Sequence, residues 1–335
     1  MRTQGLSTSE ANGCSKPCHV CAICGGVSGN VIHSAREMML GTGHVFRYVE
    51  CAACGCLQLL EPPPDMARYY PVDYCGFQMG KASGRFLKGA RRFFRRLRNR
   101  GFFEGSGWAG RVLARRYRYP QLSAFARMRV GRGSRILDVG CGSGKLLLDL
   151  KELGYTNLLG VDLYVPQSMD FGDGVRVIKG GMGCLAGTAW DVVMFHHSFE
   201  HMLDPAGVLR LAANLLAPRG KCMIGIPIVG WAWDHYGVQW VQLDAPRHLF
   251  LHTEKSFRIL ADSAGLQVYE VHYDSSEFQF WGSELYARGV AQVSVDMAKP
   301  RSIFSWRELR RFRRWAEGLN SERRGDQAIF CLVKR

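Results

Sequence analysis

The stretch RILDVGCGSGKLLLDL, residues 135–150, decides how this chain is read. An apolar run ends at Asp138 and Val139, glycines follow at positions 140, 142 and 144, and KLLLDL then repeats apolar residues at helical spacing. In a strand, loop and helix of that order, glycine is needed where a Cβ would block a sharp turn or the close approach of a ligand. A second acid, Asp162, closes the next apolar run, LLGVDLY, at the position where a carboxylate accepts from both hydroxyls of a ribose. Dinucleotide sites use Gly-x-Gly-x-x-Gly to bring a pyrophosphate to the helix end. Here the spacing is Gly-x-Gly-x-Gly, with Asp138 two residues ahead of it, which suits a ligand carrying an ammonium group and no phosphate.

Outward from this stretch, short β-branched runs alternate with helical patterns from residue 134 onward, which predicts βαβ units and a mainly parallel sheet. Strands are expected at 135–139, 158–163, 175–179, 191–196, 221–227, 266–273 and 328–334, and the clearest helices at 145–153 and 205–216.

On these residues the chain resembles the class I S-adenosylmethionine (SAM)-dependent methyltransferases, whose first motif ILDVGCGSG is similar to. WDVVMFHHSFEHMLDP, residues 190–205, resembles the family's fourth strand and its following Glu-His turn, and LLAPRGKCMIGIP resembles the approach to its fifth strand. The resemblance implies an α/β fold with a Rossmann-like, seven-stranded, mainly parallel sheet, helices on both faces and a last pair of antiparallel strands. That pair would be interrupted by an insertion at 275–324. It also implies SAM as cofactor, with Asp138, Gly140, Gly142 and Gly144 holding the methionine moiety and Asp162 the ribose. After the third strand, where many relatives place an acid for adenine, this chain has Lys179-Gly180-Gly181-Met182, so no adenine contact is assigned.

Near the amino terminus, Cys21-Ala-Ile-Cys24 and Cys51-Ala-Ala-Cys54 are two Cys-x-x-Cys knuckles, each followed by glycine. Four thiolates so paired reach one tetrahedral Zn²⁺, and four protein ligands leave no open position, so the metal is read as structural. Seven of the twelve cysteines lie between Cys14 and Cys56, and Cys14, Cys18 and Cys56 are spare sulfurs near the knuckles. The expected organisation is a zinc ribbon or knuckle module at 12–60, a basic helical linker region at 61–130 entered through EPPPD, and the methyltransferase domain at 131–335.

Net charge is +15, and 13 Lys or Arg against one acid, Glu104, fall between 81 and 118; RELRRFRR at 307–314 is a smaller basic patch. Such patches attract nucleic acid, anionic lipid or phosphorylated substrate. Within 85–98 the apolar residues recur at helical spacing, which fits a helix packed on the domain or an interfacial helix on an anionic membrane. No run approaches the roughly 18 apolar residues of a membrane span, and the first twenty residues lack the apolar centre of a secretory signal. A cytoplasmic protein, peripheral at the inner membrane face if 85–98 docks there, is therefore expected.

LLEPPPDMARYYPVDY, LDAPRHLFLHT, DSSEFQFWGSELY and GDQAIFCLVK resemble a bacterial methyltransferase group with an amino-terminal zinc module, encoded alongside polysaccharide assembly genes. The resemblance implies a small-molecule acceptor: a sugar, or a nucleotide- or lipid-linked glycan. An RNA methyltransferase with a zinc-containing recognition module stays open, although the Asn/Asp-Pro-Pro-aromatic signature of base-nitrogen methylation is missing. A zinc-dependent binding module with a vestigial SAM fold also stays open. For catalysis, a hydroxyl acceptor needs its proton removed, and histidine has the suitable pKa. His248 is expected as the base and His197 as the residue orienting the acceptor, with His196, His201 and Glu200 stabilising the turn.

Overall fold

The computed structural model describes residues 19–70, 120–297 and 299–335. Two sheets organise them. The smaller sheet joins β1 (Val31–Arg36), β2 (Val45–Glu50) and β3 (Leu57–Leu59) to β10 (Phe250–Leu251), in the order β1-β2-β3-β10. The larger comprises β4 (Arg135–Val139), β5 (Asn157–Asp162), β6 (Met169–Asp170), β7 (Val175–Lys179), β8 (Trp190–His196), β9 (Leu216–Pro227), β11 (Leu266–Tyr273) and β12 (Gln327–Lys334). Its order is β11-β12-β9-β8-β4-β5-β7-β6.

All seven expected strands are present, and a two-residue edge strand, β6, adds an eighth. The central strands are parallel, while β12 runs antiparallel to both β9 and β11. β9 begins five residues earlier than its apolar run, because Leu216 already pairs with Trp190.

These strands read as continuous apolar runs because both faces are covered. Leu137, Val193, Phe195 and Ile224 face one core with α3 (Pro205–Leu215) and α5 (Glu254–Ser263). Ile136, Val192, Met194 and Met223 face the other with α1 (Pro120–Arg127) and α2 (Lys145–Glu152). The chain proceeds from β4 outward through β5 to β7, then returns to β8 beside β4. The order therefore reverses between β4 and β8, and a ligand crevice opens outside the carboxyl ends of strands at such a point.

Between β9 and α5 the chain makes a short helix, α4 (Trp231–Tyr236), and then β10, whose pairing with β3 makes it the fourth strand of the amino-terminal sheet. Tyr48, Leu57, Trp233, Trp240, Leu249 and Leu251 share one core across this junction. The 275–324 insertion forms α6 (Phe278–Ala287) and α7 (Trp306–Ser321), packed through Phe280, Leu285, Phe304 and Phe312. Among the described residues, no helix is long and apolar enough to cross a membrane. The stretch 85–98 lies outside the described residues.

Candidate functional site

The glycine loop leaves β4 at the reversal point. Gly140, Gly142 and Gly144 have φ of 71°, 53° and 75°, the left-handed region that favours glycine. At Gly140 a Cβ would lie 2.4 Å from that of Ser198, whose hydroxyl donates to the Val139 carbonyl at 2.6 Å. Loop and β8 turn are thus locked together. Asp162, at the end of β5, accepts from Gly142 N–H at 2.9 Å and Tyr164 N–H at 2.8 Å, which ties the loop to the second strand. Each of its oxygens keeps a lone pair for a further donor.

Asp138 is buried, and its Oδ1 has no hydrogen-bond partner. Burial, reinforced by the Asp162 carboxylate, pushes its pKa up to about 7. A buried, unpaired acid is costly unless a partner arrives. A cationic group such as the ammonium of SAM would supply that partner, and the remaining lone pairs of Asp162 would suit the hydroxyls of a ribose.

The four knuckle cysteines come together: Cys21 Sγ lies 3.6 Å from Cys54 Sγ, Cys24 Sγ 3.5 Å from Cys51 Sγ, and all four lie within 4.8 Å of one another. A tetrahedral site with metal–sulfur bonds of about 2.3 Å has sulfur–sulfur edges of about 3.8 Å, so the cluster fits Zn²⁺. The knuckles are near copies. Gly25 N donates to Cys21 O and Gly55 N to Cys51 O, and both glycines have φ of 73°. Burial raises the Cys51 pKa, but hydrogen bonds from backbone N–H groups and a neighbouring thiol outweigh it and bring the group to about 7. Cys56, one of the spare sulfurs, instead faces His252 Nδ1 at 3.9 Å. Cys14 and Cys18 lie outside the described residues.

The cysteine module contacts the segment around His248 and the start of α5 directly. Thr253 Oγ1 donates to Cys54 O at 2.6 Å, Lys255 Nζ donates to Ala53 O at 2.6 Å, and Tyr48 Oη donates to the His248 carbonyl at 2.9 Å. Glu37 and Arg247 are both buried, 3.6 Å apart, and Arg247 also holds Asp244 through two contacts at 2.8 and 2.5 Å.

His197 and His248, 51 positions apart, meet around Glu200. His197 follows β8 with φ of 51°, and its Nδ1 lies 3.5 Å from Glu200 Oε1. Burial depresses its pKa, but the Glu200 contact outweighs this and raises it. His248 donates Nδ1–H to Gln242 O at 2.7 Å, which leaves Nε2 as the lone-pair nitrogen, 3.7 Å from Asp244 Oδ2 and 3.9 Å from Glu200 Oε1. Burial, aided by His201, lowers His248 to about 4 against the pull of Asp244 and Glu200. His248 Nε2 is thus an acceptor at neutral pH, and the Glu200 carboxylate favours the protonated, donating form of His197.

Glu200 is more than a turn residue. It is 1% exposed, and neither carboxylate oxygen has a hydrogen-bond partner. Glu200, His201 and His248 also lie close enough to hold a metal ion. Both histidines donate Nδ1–H to backbone carbonyls, His201 to Arg247 O at 2.8 Å. The only sequence signal for this centre is the Glu-His pair itself, and nothing local links it to Asp244, Arg247 or His248.

Residues 112–271 match the family model described as a methyltransferase domain. The cradle around Asp138 and Asp162 falls within this segment, as do His197 and His248. The ubiquinone biosynthesis O-methyltransferase of Psychrobacter cryohalolentis is 34% identical over 104 residues, 28% of this chain and 40% of that protein. The protein of the same name from Azorhizobium caulinodans is 34% identical over 127 residues, 35% of this chain and 48% of that protein. The chain thus spans less than half the length of these curated relatives. A solved SAM-dependent methyltransferase from Geobacter sulfurreducens, in complex with S-adenosyl-L-homocysteine, aligns at 18% identity with a TM-score of 0.40, over 66% of this chain and 96% of that one.

Proposed function

We propose that the chain transfers a methyl group from SAM to a hydroxyl of a sugar, or of a nucleotide- or lipid-linked glycan. The charge of the acceptor edge carries this reading: Glu200, Asp274 and Asp326 are the acids that act on His197 there. Carboxylates accept hydrogen bonds from the hydroxyls of a neutral polyol and repel a phosphate backbone. That disfavours the RNA alternative. The relatives named O-methyltransferases support oxygen as the acceptor atom.

SAM, when bound, supplies a methyl group on a sulfonium. Asp138 would hold the cofactor's ammonium and Asp162 its ribose, and the turn after β8 lies against the same loop. His248 Nε2 takes the acceptor proton, and His197, paired with Glu200, donates to the acceptor and orients it. Much of the rate in such an in-line displacement comes from positioning. The zinc module would hold the His248 loop through Tyr48 and Glu37. On a true acceptor, His248→Ala lowers turnover by about 10²-fold or more at unchanged SAM affinity, the usual worth of a general base. Unchanged turnover removes His248 from the role. Transfer of labelled methyl from SAM to RNA, with none to glycan precursors, overturns the acceptor class.

A second reading is favoured by Glu200, whose two oxygens accept no hydrogen bond. In it Glu200, His201 and His248 hold a divalent cation, and His248 is a ligand instead of a base. Activity of zinc-replete protein that still depends on added Mn²⁺ or Mg²⁺ would select this reading.

A further inference from the structure

The basic run 307–314 forms the outer face of α7, and nothing in the methyl-transfer site uses it. Phe312 and Ala316 bury the inner face, with Leu309 and Leu319 half-buried beside them. On a 3.6-residue turn the opposite face carries Arg307, Arg310, Arg311 and Arg314 in one stripe, with Trp306 along one border and Trp315 along the other. All four arginines are exposed, and the two indoles are 55% and 48% exposed. These six side chains line a groove of ≈ 400 Å³. The helix's remaining arginine, Arg313, pairs with Glu277, and the acid of its first turn, Glu308, is taken by the cap Ser305.

We propose that this face of α7 docks on an anionic phospholipid surface, with the arginines on lipid phosphates and the tryptophans at headgroup depth. Trp is the residue that settles at a membrane interface, because its ring is apolar and its N–H is wet. Arginine forks onto phosphate oxygens in pairs. Single-stranded nucleic acid also attracts arginine and aromatic side chains, but it needs open ring faces for stacking. Here Arg310 lies over the Trp306 ring at 5.1 Å and Arg311 over Trp315 at 5.0 Å, so each indole already has a guanidinium on a face. The cation stays available to a phosphate at the ring's rim. The docking does not depend on the identity of the methyl acceptor or on the stretch 85–98.

The test is co-sedimentation of the full chain with vesicles of phosphatidylcholine alone and of phosphatidylcholine with phosphatidylglycerol. Arg307, Arg310, Arg311 and Arg314 are changed together to Gln; in a second protein Trp306 and Trp315 are both changed to Ala. Each basic residue near an anionic surface is worth roughly a fivefold change in partition, so the arginine variant is expected to bind the anionic vesicles at least about a hundredfold more weakly. The tryptophan variant is expected to bind them more weakly at unchanged salt dependence. Circular dichroism and S-adenosyl-L-homocysteine binding equal to the parent's establish that both variants are folded. If the arginine variant misfolds, the tryptophan variant alone decides. Anionic-vesicle binding equal to the parent's in the deciding variant overturns the proposal. So does a loss of affinity for a single-stranded oligonucleotide while vesicle binding is kept.

Discussion

Replacing Asp162 by Ala tests whether one carboxylate both ties the glycine loop to the sheet and holds the cofactor's ribose. Its oxygens accept from Gly142 N–H and Tyr164 N–H at 2.9 and 2.8 Å, and the residue is 8% exposed. A hydrogen bond to a charged acceptor contributes about 1.5–3 kcal/mol, so losing the two costs on the order of 3 kcal/mol of stability. For a domain of this size that lowers Tm by roughly 6–12 °C. Loss of the ribose contacts removes a further 1.5–3 kcal/mol or so from binding, roughly a 10- to 150-fold weaker affinity. Asp162→Asn, which retains one carbonyl acceptor, should recover much of the stability but little of the affinity. Scanning calorimetry and titration with S-adenosyl-L-homocysteine read the two effects separately. A lowered Tm with affinity within about twofold of the parent would refute the ribose assignment, and an unchanged Tm would refute the tether.

Asp138 gives cofactor binding a pH dependence whose sign is fixed by its pKa of about 7. Above that value the carboxylate is ionised and ready for the ammonium; below it, S-adenosyl-L-homocysteine affinity should fall by up to about tenfold per pH unit, and Asp138→Asn should bind weakly with the dependence flattened. A parent affinity that is flat from pH 5 to 8 would count against the ammonium contact. The ligand-free fold shows the opposite sign, because an acid raised from 3.8 to about 7 loses stability as pH rises through that window. Elemental analysis of metal-replete protein should find one tightly bound zinc per chain, and Cys21→Ser should release it; a metal-free protein that remains folded would sink the zinc assignment. Tyr48→Phe, which leaves the zinc in place, should slow turnover more than it weakens cofactor binding, since Tyr48 holds the His248 carbonyl. With His248 lowered to about 4, turnover should keep its basic group ionisation well below pH 6.5. An acid limb near 6.5 would assign the base elsewhere.

The seven long strands were legible because the central ones are covered on both faces and spelled as apolar runs, while the outer β7 and β11 begin by alternating buried and exposed residues at the strand period. The glycine loop was legible because left-handed φ and close approach leave few other residues at 140, 142 and 144. The knuckles were legible because tetrahedral thiolate geometry dictates both the residue type and the short spacing. These signals are local, and a sequence carries local constraints openly.

What only the tertiary structure decided is non-local. β10 is two residues long and carries no period, yet its pairing with β3 joins the cysteine module to the segment that carries His248. Glu200 looks like a turn former until folding surrounds it with His197, His201 and His248, with no hydrogen bond to either of its oxygens. Glu37 and Arg247, 210 positions apart, are buried together, and each also has local partners: Arg247 holds Asp244, and Glu37 accepts from Leu40 N–H and from Thr42. Local spacing supplies those near partners, but only the topology brings the two charges to 3.6 Å of each other in one core.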